Sequence, residues 1–145
     1  MPNFMALLKD LEQCNYLPLP SDNLLAVGWL SRASEFLQGE VSPAFFQKLS
    51  ALCSEPWQPV VSAGFHVCEL CQFQGPRFSA NVFVPFGGLI YVAPVAITHY
   101  IASHWYKPPA VFIDAVMECP PMNTMAYKKS ILSNGGREFA RATSA

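Results

Sequence analysis

Two cysteines and two histidines in this sequence have the residue types and the spacing of a metal site. Cys68 and Cys71 form a CxxC motif in the stretch HVCELCQF, and His99 and His104 follow in HYIASH. The whole pattern reads C-x2-C-x27-H-x4-H. Zinc binds four soft or borderline donors at tetrahedral corners, and two short segments can supply two donors each. The pattern therefore predicts a Zn²⁺ ion bound by Cys68, Cys71, His99 and His104.

The spacing of the two histidines requires an irregular helix end. Residues five apart on an ideal helix lie about 140° apart around the axis, with about 7.5 Å of rise. His104 immediately precedes WYKPP, where a helix must finish because the residue before a proline avoids helical geometry. We expect a loosened last turn to bring the two imidazole rings together. Zinc-finger histidine pairs with roughly three to five intervening residues are common.

Other roles for these residues stay open at this stage. A CxxC motif is also typical of thiol–disulfide exchange, although no helical pattern follows Cys71 as in a thioredoxin-like unit. Free cysteines are often buried as small apolar side chains, so Cys68 and Cys71 could be plain core residues, and on the same ground Cys14 and Cys53 are assigned to the core. His66 and Cys119 are the residues that could replace one of the histidine ligands.

A set of four protein ligands favours a structural metal over a catalytic one, because catalytic zinc keeps one position open for water. Glu69 and Asp114 do not lie in a HExxH arrangement, and no deaminase motif, glycine-rich phosphate loop or G-x-S-x-G elbow is present. No catalytic residue is assigned. The runner-up hypothesis is a zinc-dependent hydrolase with three protein ligands and a water, in which His66 or Glu69 carries the proton.

Apolar periodicity and turn residues place the four candidate ligands on a knuckle and on a helix that follows a hairpin. Residues 79–86 and 89–93 are predicted strands around a Gly87-Gly88 turn. The predicted helices are 3–14, Ser42 to Cys53, Pro94 to the Pro108-Pro109 break with Ile97, Ile101 and Trp105 on one face, 110–119, and 124–133 with Asn123 as its cap. Knuckle, hairpin and helix follow one another in the order of a treble-clef zinc finger.

These elements predict an α+β fold, with N-terminal helices packed on a zinc-knuckle, β-hairpin and helix core and with further C-terminal helices. A chain of 145 residues can form one compact domain. Within a single domain over residues 1–145 we distinguish a helical N-terminal part at 1–58, a zinc-knuckle, hairpin and helix part at 59–134, and a flexible tail at 135–145.

The composition favours a protein that binds another protein. Hydrophobic residues make up 52% of the chain and charged residues 13%, whereas soluble domains average roughly 25% charged. Such a chain is expected to leave an apolar surface patch for a partner or for self-association, and the Trp105–Pro109 corner is the best candidate. The net charge of −1 gives no overall attraction to nucleic acid, so binding of nucleic acid is not expected. Residues 119–145, however, carry four basic residues and one acidic residue, and this local positive charge keeps a weak nucleic-acid-binding role as an alternative.

The sequence predicts a cytoplasmic protein that does not associate with membranes. No basic leader precedes the apolar residues of MPNFMALLKDLEQ. The longest apolar stretch, 87–102, contains a proline and a histidine and is shorter than the roughly 18 residues of a membrane span. Five cysteines are an odd number, which argues against a fully paired disulfide framework.

Several stretches between Ala26 and Gly135 resemble an uncharacterised bacterial domain family. The stretches that carry the resemblance are AVGWL, PWQPV, GFHVCELC, NVFVP, LIYVAPVAITHYIASHWYKPPAVF and ECPPM. The resemblance implies one unit with a CxxC…HxxxxH zinc-knuckle core, and it implies no activity. His-Asn-His nucleases share the treble-clef scaffold, but this sequence holds no matching catalytic His–Asn set.

Overall fold

The computed structural model of this protein describes residues 9–14, 23–31, 35–59, 66–71 and 77–137, with only the backbone of His66 and Arg77. Within these ranges, four helices accompany a small mixed sheet and a two-stranded ribbon, so the chain has the predicted α+β fold. The strands are β1 (Leu24–Ala26), β2 (His66–Val67), β3 (Arg77–Phe78), β4 (Asn81–Phe86) and β5 (Leu89–Pro94). The helices are α1 (Pro43–Ser54), α2 (Ile97–His104), α3 (Ala110–Glu118) and α4 (Met125–Ser133).

The mixed sheet is the centre of the core and has the strand order β1-β5-β4. The antiparallel β4–β5 hairpin confirms the predicted hairpin, while β1 pairs with β5 in parallel. Gly87 and Gly88 form the turn at φ 62° and 83°, a region that glycine adopts without steric cost. Both hairpin strands are buried on both faces, which explains why their sequences are continuously apolar and do not alternate.

Helix α1 forms as its sequence predicts. The Ser42 hydroxyl accepts a hydrogen bond from the Phe45 amide at 3.1 Å, and Pro43 occupies the first turn. The apolar face buries Phe45, Leu49 and Leu52. This face packs α1 against α3, α2 and β4, so α1 supports the sheet and the helix that carries the two candidate histidines.

The C-terminal helices lie close to their predicted positions, with one correction at a cap. The N-cap of α4 is Thr124, whose hydroxyl accepts from the Tyr127 amide at 3.2 Å. The prediction of Asn123 as the cap is wrong, because Asn123 adopts a left-handed φ of 63° and its side chain donates to the Glu55 carbonyl at 3.5 Å. Both α3 and α4 pack on β4.

The helix predicted at 3–14 is wrong for residues 9–14, and residues 3–8 lie outside the described residues. Three hydrogen bonds of 2.7 Å pair the 11–14 segment with the edge of β1. Leu11, an apolar residue within the predicted helix, has a φ of 67° and is 40% exposed. Backbone groups at the edge of β1 need partners, and this long-range pairing outweighs the local periodicity.

Gly28 is a position where an added Cβ atom would crowd the start of α2. Its φ is 78°, and a Cβ there would lie 2.9 Å from Cδ1 of Ile97, the first residue of α2. We expect Gly28→Ala to lower the free energy of unfolding by about 2–3 kcal/mol, since it combines backbone strain with crowding. Gly88→Ala is the matched control, because Gly88 has a φ of 83° and open space within 4 Å. Urea titration of both variants should show the smaller loss at Gly88, and equal losses would contradict the crowding.

None of the helices in the described ranges is long and apolar enough to cross a lipid bilayer.

The division of the chain at residues 58 and 134 stays a prediction. Of the tail expected at 135–145, residues 138–145 lie outside the described part of the chain.

Candidate metal centre

The two cysteines of the CxxC motif lie at the two ends of a turn beside the two-stranded ribbon. Strands β2 and β3 pair antiparallel, with His66 opposite Phe78. Cys68 directly follows β2, and residues 69–70 form a turn that leads to Cys71. The Cys68 side chain is 2% exposed, while Cys71 is half-buried. One sulfur is thus embedded in the protein and the other lies nearer the surface.

Helix α2 supplies the two histidines. Its buried face consists of Ile97, Tyr100 and Ile101, and the helix packs on α1. His99 and His104 are half-buried on the same helix. Pro94 is the last residue of β5 and not the first of the helix, so α2 begins three residues later than predicted.

The C-terminal end of α2 brings the two imidazoles together. Trp105 adopts the left-handed conformation, and the amides of Trp105 and Tyr106 both donate to the Tyr100 carbonyl. The prediction that Trp105 lies on the apolar face of the helix is wrong, because Trp105 lies past the helix end and is 56% exposed. The His99 and His104 ring centroids are 5.1 Å apart with the planes at 78°.

The four side chains lie close enough together to share one metal ion. All four potential ligand atoms lie within 4.8 Å of one another. Cys71 Sγ lies 3.2 Å from His99 Nε2 and 3.5 Å from His104 Nε2, and Cys68 Sγ lies 3.4 Å from His104 Nε2. Tetrahedral zinc with bonds of about 2.3 Å to sulfur and 2.0–2.1 Å to nitrogen places adjacent donors about 3.5 Å apart. This Cys2His2 cluster (Cys68, Cys71, His99 and His104) could therefore hold a metal ion.

Opposing effects act on the Cys68 thiol. Burial, the largest effect, raises its pKa, and the neighbouring Cys71 acts in the same direction. The backbone amides of Leu70 and Cys71 donate toward the Cys68 sulfur and lower its pKa. These amides are those of the tight CxxC turn, and they stabilise a thiolate, which is the form that binds metals.

The surroundings of His99 favour a neutral ring. Burial lowers the pKa of His99, and positive charge on His104 lowers it further. The Nδ1 atom lies 3.4 Å from the Ser103 hydroxyl, leaving Nε2 directed at Cys71. The Phe78 ring of β3 lies 5.9 Å from the His99 ring. Neutral imidazole is the ligand form of histidine, and an outer hydrogen bond orients such a ring.

The other cysteines differ from the CxxC pair. Burial raises the pKa of Cys53 and of Cys119 to about 12, so both remain thiols at neutral pH. Cys119 is 1% exposed and its thiol contacts the Pro120 carbonyl at 3.3 Å. Cys14 is also buried, as predicted, whereas Cys53 is only partly buried against the core. In the described residues, Cys119 is not part of the Cys2His2 cluster.

The remaining candidates from the sequence do not join the cluster as far as the chain is described. The His66 backbone forms part of β2, and its side chain lies outside what the structure describes. Glu69 lies in the turn between Cys68 and Cys71, and Asp114 lines a separate cavity with Phe86 and Asn134. Within the described ranges, no carboxylate belongs to the cluster. Ser103 was missed by the sequence reasoning, although its position four residues after His99 on a helix indicates contact.

Comparison with protein families gives one match. A family described as "Domain of unknown function (DUF7919)" matches residues 6–117, which include all four residues of the cluster. The chain belongs to this family. No curated protein and no solved structure matches the chain. The family match starts before the Ala26 boundary of the resemblance and ends before ECPPM at 118–122. Its description assigns no activity, so the chemistry rests on the cluster itself.

Proposed function

We propose that this protein is a zinc-stabilised module for protein–protein interaction, without enzymatic activity of its own. In this proposal the Cys2His2 cluster holds one Zn²⁺ through two thiolates and two neutral imidazoles. The observation that carries it is the convergence of all four donor atoms within 4.8 Å from two separate parts of the chain. Without a metal, this cluster of one buried and three half-buried side chains would leave its donors without their strongest common partner.

The donor set favours zinc over other metals. Tetrahedral sites of two sulfurs and two nitrogens are typical of zinc, while hard cations such as Mg²⁺ and Ca²⁺ prefer oxygen donors. Within the described residues the cluster contains no carboxylate. The cysteines must stay reduced to bind the metal, and a cytoplasmic location would keep them so.

A structural role for the metal follows from the short elements that it would join. Strands β2 and β3 have two residues each, and a two-stranded ribbon is marginally stable by itself. Zinc would tie this knuckle to α2, and the energy of metal binding would then contribute to folding. Four protein donors fill a tetrahedral coordination sphere, which favours a structural site over a hydrolytic one. The order of knuckle, hairpin and helix fits a treble-clef-like arrangement.

The interaction role is supported by an exposed tryptophan beside the cluster. Trp105 follows the cluster residue His104, has a φ of 57° and is 56% exposed. Glycine is favoured at such a helix end, because a side chain in the left-handed region costs roughly 1–2 kcal/mol. Leu37, which is 70% exposed, is joined to the same corner by the hydrogen bond from the Lys107 amide to the Leu37 carbonyl at 2.9 Å. The strained backbone conformation of Trp105 and the exposure of its indole ring are consistent with recognition of a partner protein.

Metal analysis of the purified protein tests the proposed zinc site. The proposal predicts one zinc ion per chain, retained through gel filtration and removed by a strong chelator under reducing conditions. A Co²⁺-substituted protein should show the intense thiolate absorption and visible bands of a tetrahedral site. Absence of bound metal at neutral pH would contradict the proposal. A cobalt spectrum of a five-coordinate site with bound water would favour the hydrolase alternative.

Substitution of Trp105 tests the interaction role without weakening the fold. We expect Trp105→Gly to leave the melting temperature unchanged or to raise it, because glycine relieves the left-handed strain. The control is a substitution of Met125, another exposed apolar residue, which is 68% exposed. Alanine is used there because Met125 is the first residue of α4 and glycine would disturb the helix. Affinity capture from the native cell should recover a defined protein with the wild type and with Met125→Ala, and not with Trp105→Gly. Equal recovery by all three would contradict a role for this corner.

A further inference from the structure

We infer that Asp10 and Tyr106 position the candidate ligand His104 by tying the C-terminal end of α2 to the sheet. This inference rests on the proposed zinc site and adds two positioning residues to it. Neither residue supplies a donor atom to the cluster. Tyr106 lies two residues after His104, and Asp10 lies far away in the sequence on the segment that pairs with β1.

The Tyr106 side chain is fully buried and makes a specific hydrogen bond. Its hydroxyl donates to Asp10 Oδ2 at 2.7 Å, and its ring contacts the Phe36 ring edge-on at 5.9 Å. The acceptor is a carboxylate oxygen, and a hydrogen bond of this type is stronger than one between two neutral groups.

Asp10 is itself held against the sheet. Its second oxygen, Oδ1, accepts from the Gly28 amide at 2.9 Å. The next residue, Leu11, donates its amide to the Ala26 carbonyl at 2.7 Å, which continues the pairing with β1. Gly28 also faces Ile97, the first residue of α2. The Asp10 carboxylate therefore connects Gly28, which faces the first residue of α2, with Tyr106, which lies two residues beyond the end of α2.

A second set of contacts holds the same short stretch at residues 104–107. The Gly39 amide donates to the Trp105 carbonyl at 3.1 Å, and the Lys107 amide donates to the Leu37 carbonyl at 2.9 Å. The Gln38 side chain donates to the His104 carbonyl at 3.3 Å. Among these contacts, the Tyr106–Asp10 hydrogen bond is the part-buried one that involves a carboxylate. Its loss should free the end of α2 to rotate and move His104 Nε2 from its place between the two sulfurs.

The chain offers a matched control for this role. Tyr127 is 3% exposed, and its hydroxyl donates to the Phe83 carbonyl at 2.7 Å. Tyr127→Phe therefore deletes the same atom from a similarly buried site, but on α4, where no cluster residue lies. Tyr106→Phe and Tyr127→Phe should both reduce stability, while the metal site should respond to the first alone.

The test is a competition titration of Co²⁺ and Zn²⁺ in full-length protein under reducing conditions, combined with the Co²⁺ absorption spectrum. We expect Tyr106→Phe to weaken zinc binding about tenfold, in the range of outer residues that orient metal ligands, and to change the cobalt bands. Tyr127→Phe should keep the affinity within about twofold and the spectrum unchanged. Asp10→Ala should weaken binding similarly, and the Asp10→Ala/Tyr106→Phe double variant should lose no more than either single variant, as expected for two members of one contact.

The outcomes of the titrations separate a failure of the positioning role from a failure of the proposed zinc site. Equal zinc affinities and identical cobalt spectra for Tyr106→Phe and Tyr127→Phe would overturn the positioning role and leave the proposed zinc site standing. Additive losses in the double variant would also overturn it, since the two residues would then act independently. If the wild-type protein binds neither metal, the proposed function and this inference both fail.

Discussion

Replacing Cys68 by serine should weaken zinc binding by more than about 100-fold and lower the melting temperature of the protein. Cys68 is the embedded donor of the cluster, 2% exposed and 3.4 Å from His104 Nε2. Loss of an outer residue that merely orients a ligand already costs roughly 10–100-fold in metal affinity, and a thiolate ligand contributes more than such a residue. The measurement is a competition titration with a chromogenic chelator, together with thermal unfolding monitored by circular dichroism.

Cys14→Ser is the matched control for this change. Cys14 is also 2% exposed and belongs to the same hydrophobic core, but it is not a member of the Cys2His2 cluster. Both substitutions bury a hydroxyl in place of a thiol, which costs roughly 1–3 kcal/mol by itself. Zinc affinity should therefore separate the two variants even where their stabilities are similar. Equal affinities would show that Cys68 is only a core residue.

Removal of the metal should destabilise the wild-type protein by several kcal/mol. An ion present at about 1,000 times its dissociation constant stabilises the folded state by about 4 kcal/mol, which for a chain of this size corresponds to a fall of roughly 10 °C in melting temperature. We expect hydrogen exchange to show the earliest loss of protection at residues 66–71 and in α2, because the metal would join these parts. The measurement is thermal unfolding with and without a strong chelator under a thiol reductant.

The Cys68→Ser variant controls for side effects of the chelator. Since this variant should bind little zinc, chelator should change its melting temperature by no more than a degree or two. Re-addition of zinc should restore the melting temperature of the wild type and leave the variant unchanged. A wild-type melting temperature that is insensitive to both chelator and zinc would contradict a structural metal.

The parts of the fold that the sequence predicted well are those with strong local signals. Ser42-Pro43 begins α1, and Gly87-Gly88 forms the hairpin turn. The buried strands and α2 to α4 were recognised from apolar runs bounded by prolines and glycines. In each case residues within a few positions determine the local conformation, so no distant contact is needed to predict it.

The errors and omissions depend on long-range contacts. The apolar pattern of residues 3–14 predicts a helix, yet residues 11–14 pair with β1. The parallel pairing of β1 with β5 and the bond between Asp10 and Tyr106 join residues that are 66 and 96 positions apart. Such contacts carry no periodic signal in a single sequence. Trp105 was placed on a helix face because its spacing fits, but backbone hydrogen bonds to Tyr100 end the helix one residue earlier.

The four residues of the candidate site were predicted together because metal coordination constrains both residue type and spacing. The structure brings Cys68, Cys71, His99 and His104 within mutual reach, and ligation of a metal by them stays a prediction. The Ser103–His99 contact and the Tyr106–Asp10 hydrogen bond could not be predicted, since hydroxyl and carboxylate groups are common and their spacing is not distinctive.

X-ray absorption at the zinc edge of the purified, reduced protein tests the central claim most directly. We predict a first shell of two sulfurs at about 2.3 Å and two imidazole nitrogens at 2.0–2.1 Å, with no water. The Cys68→Ser protein should lose one of the two sulfur scatterers. A zinc ion without sulfur neighbours, or a protein that holds no zinc when reduced, would contradict the account.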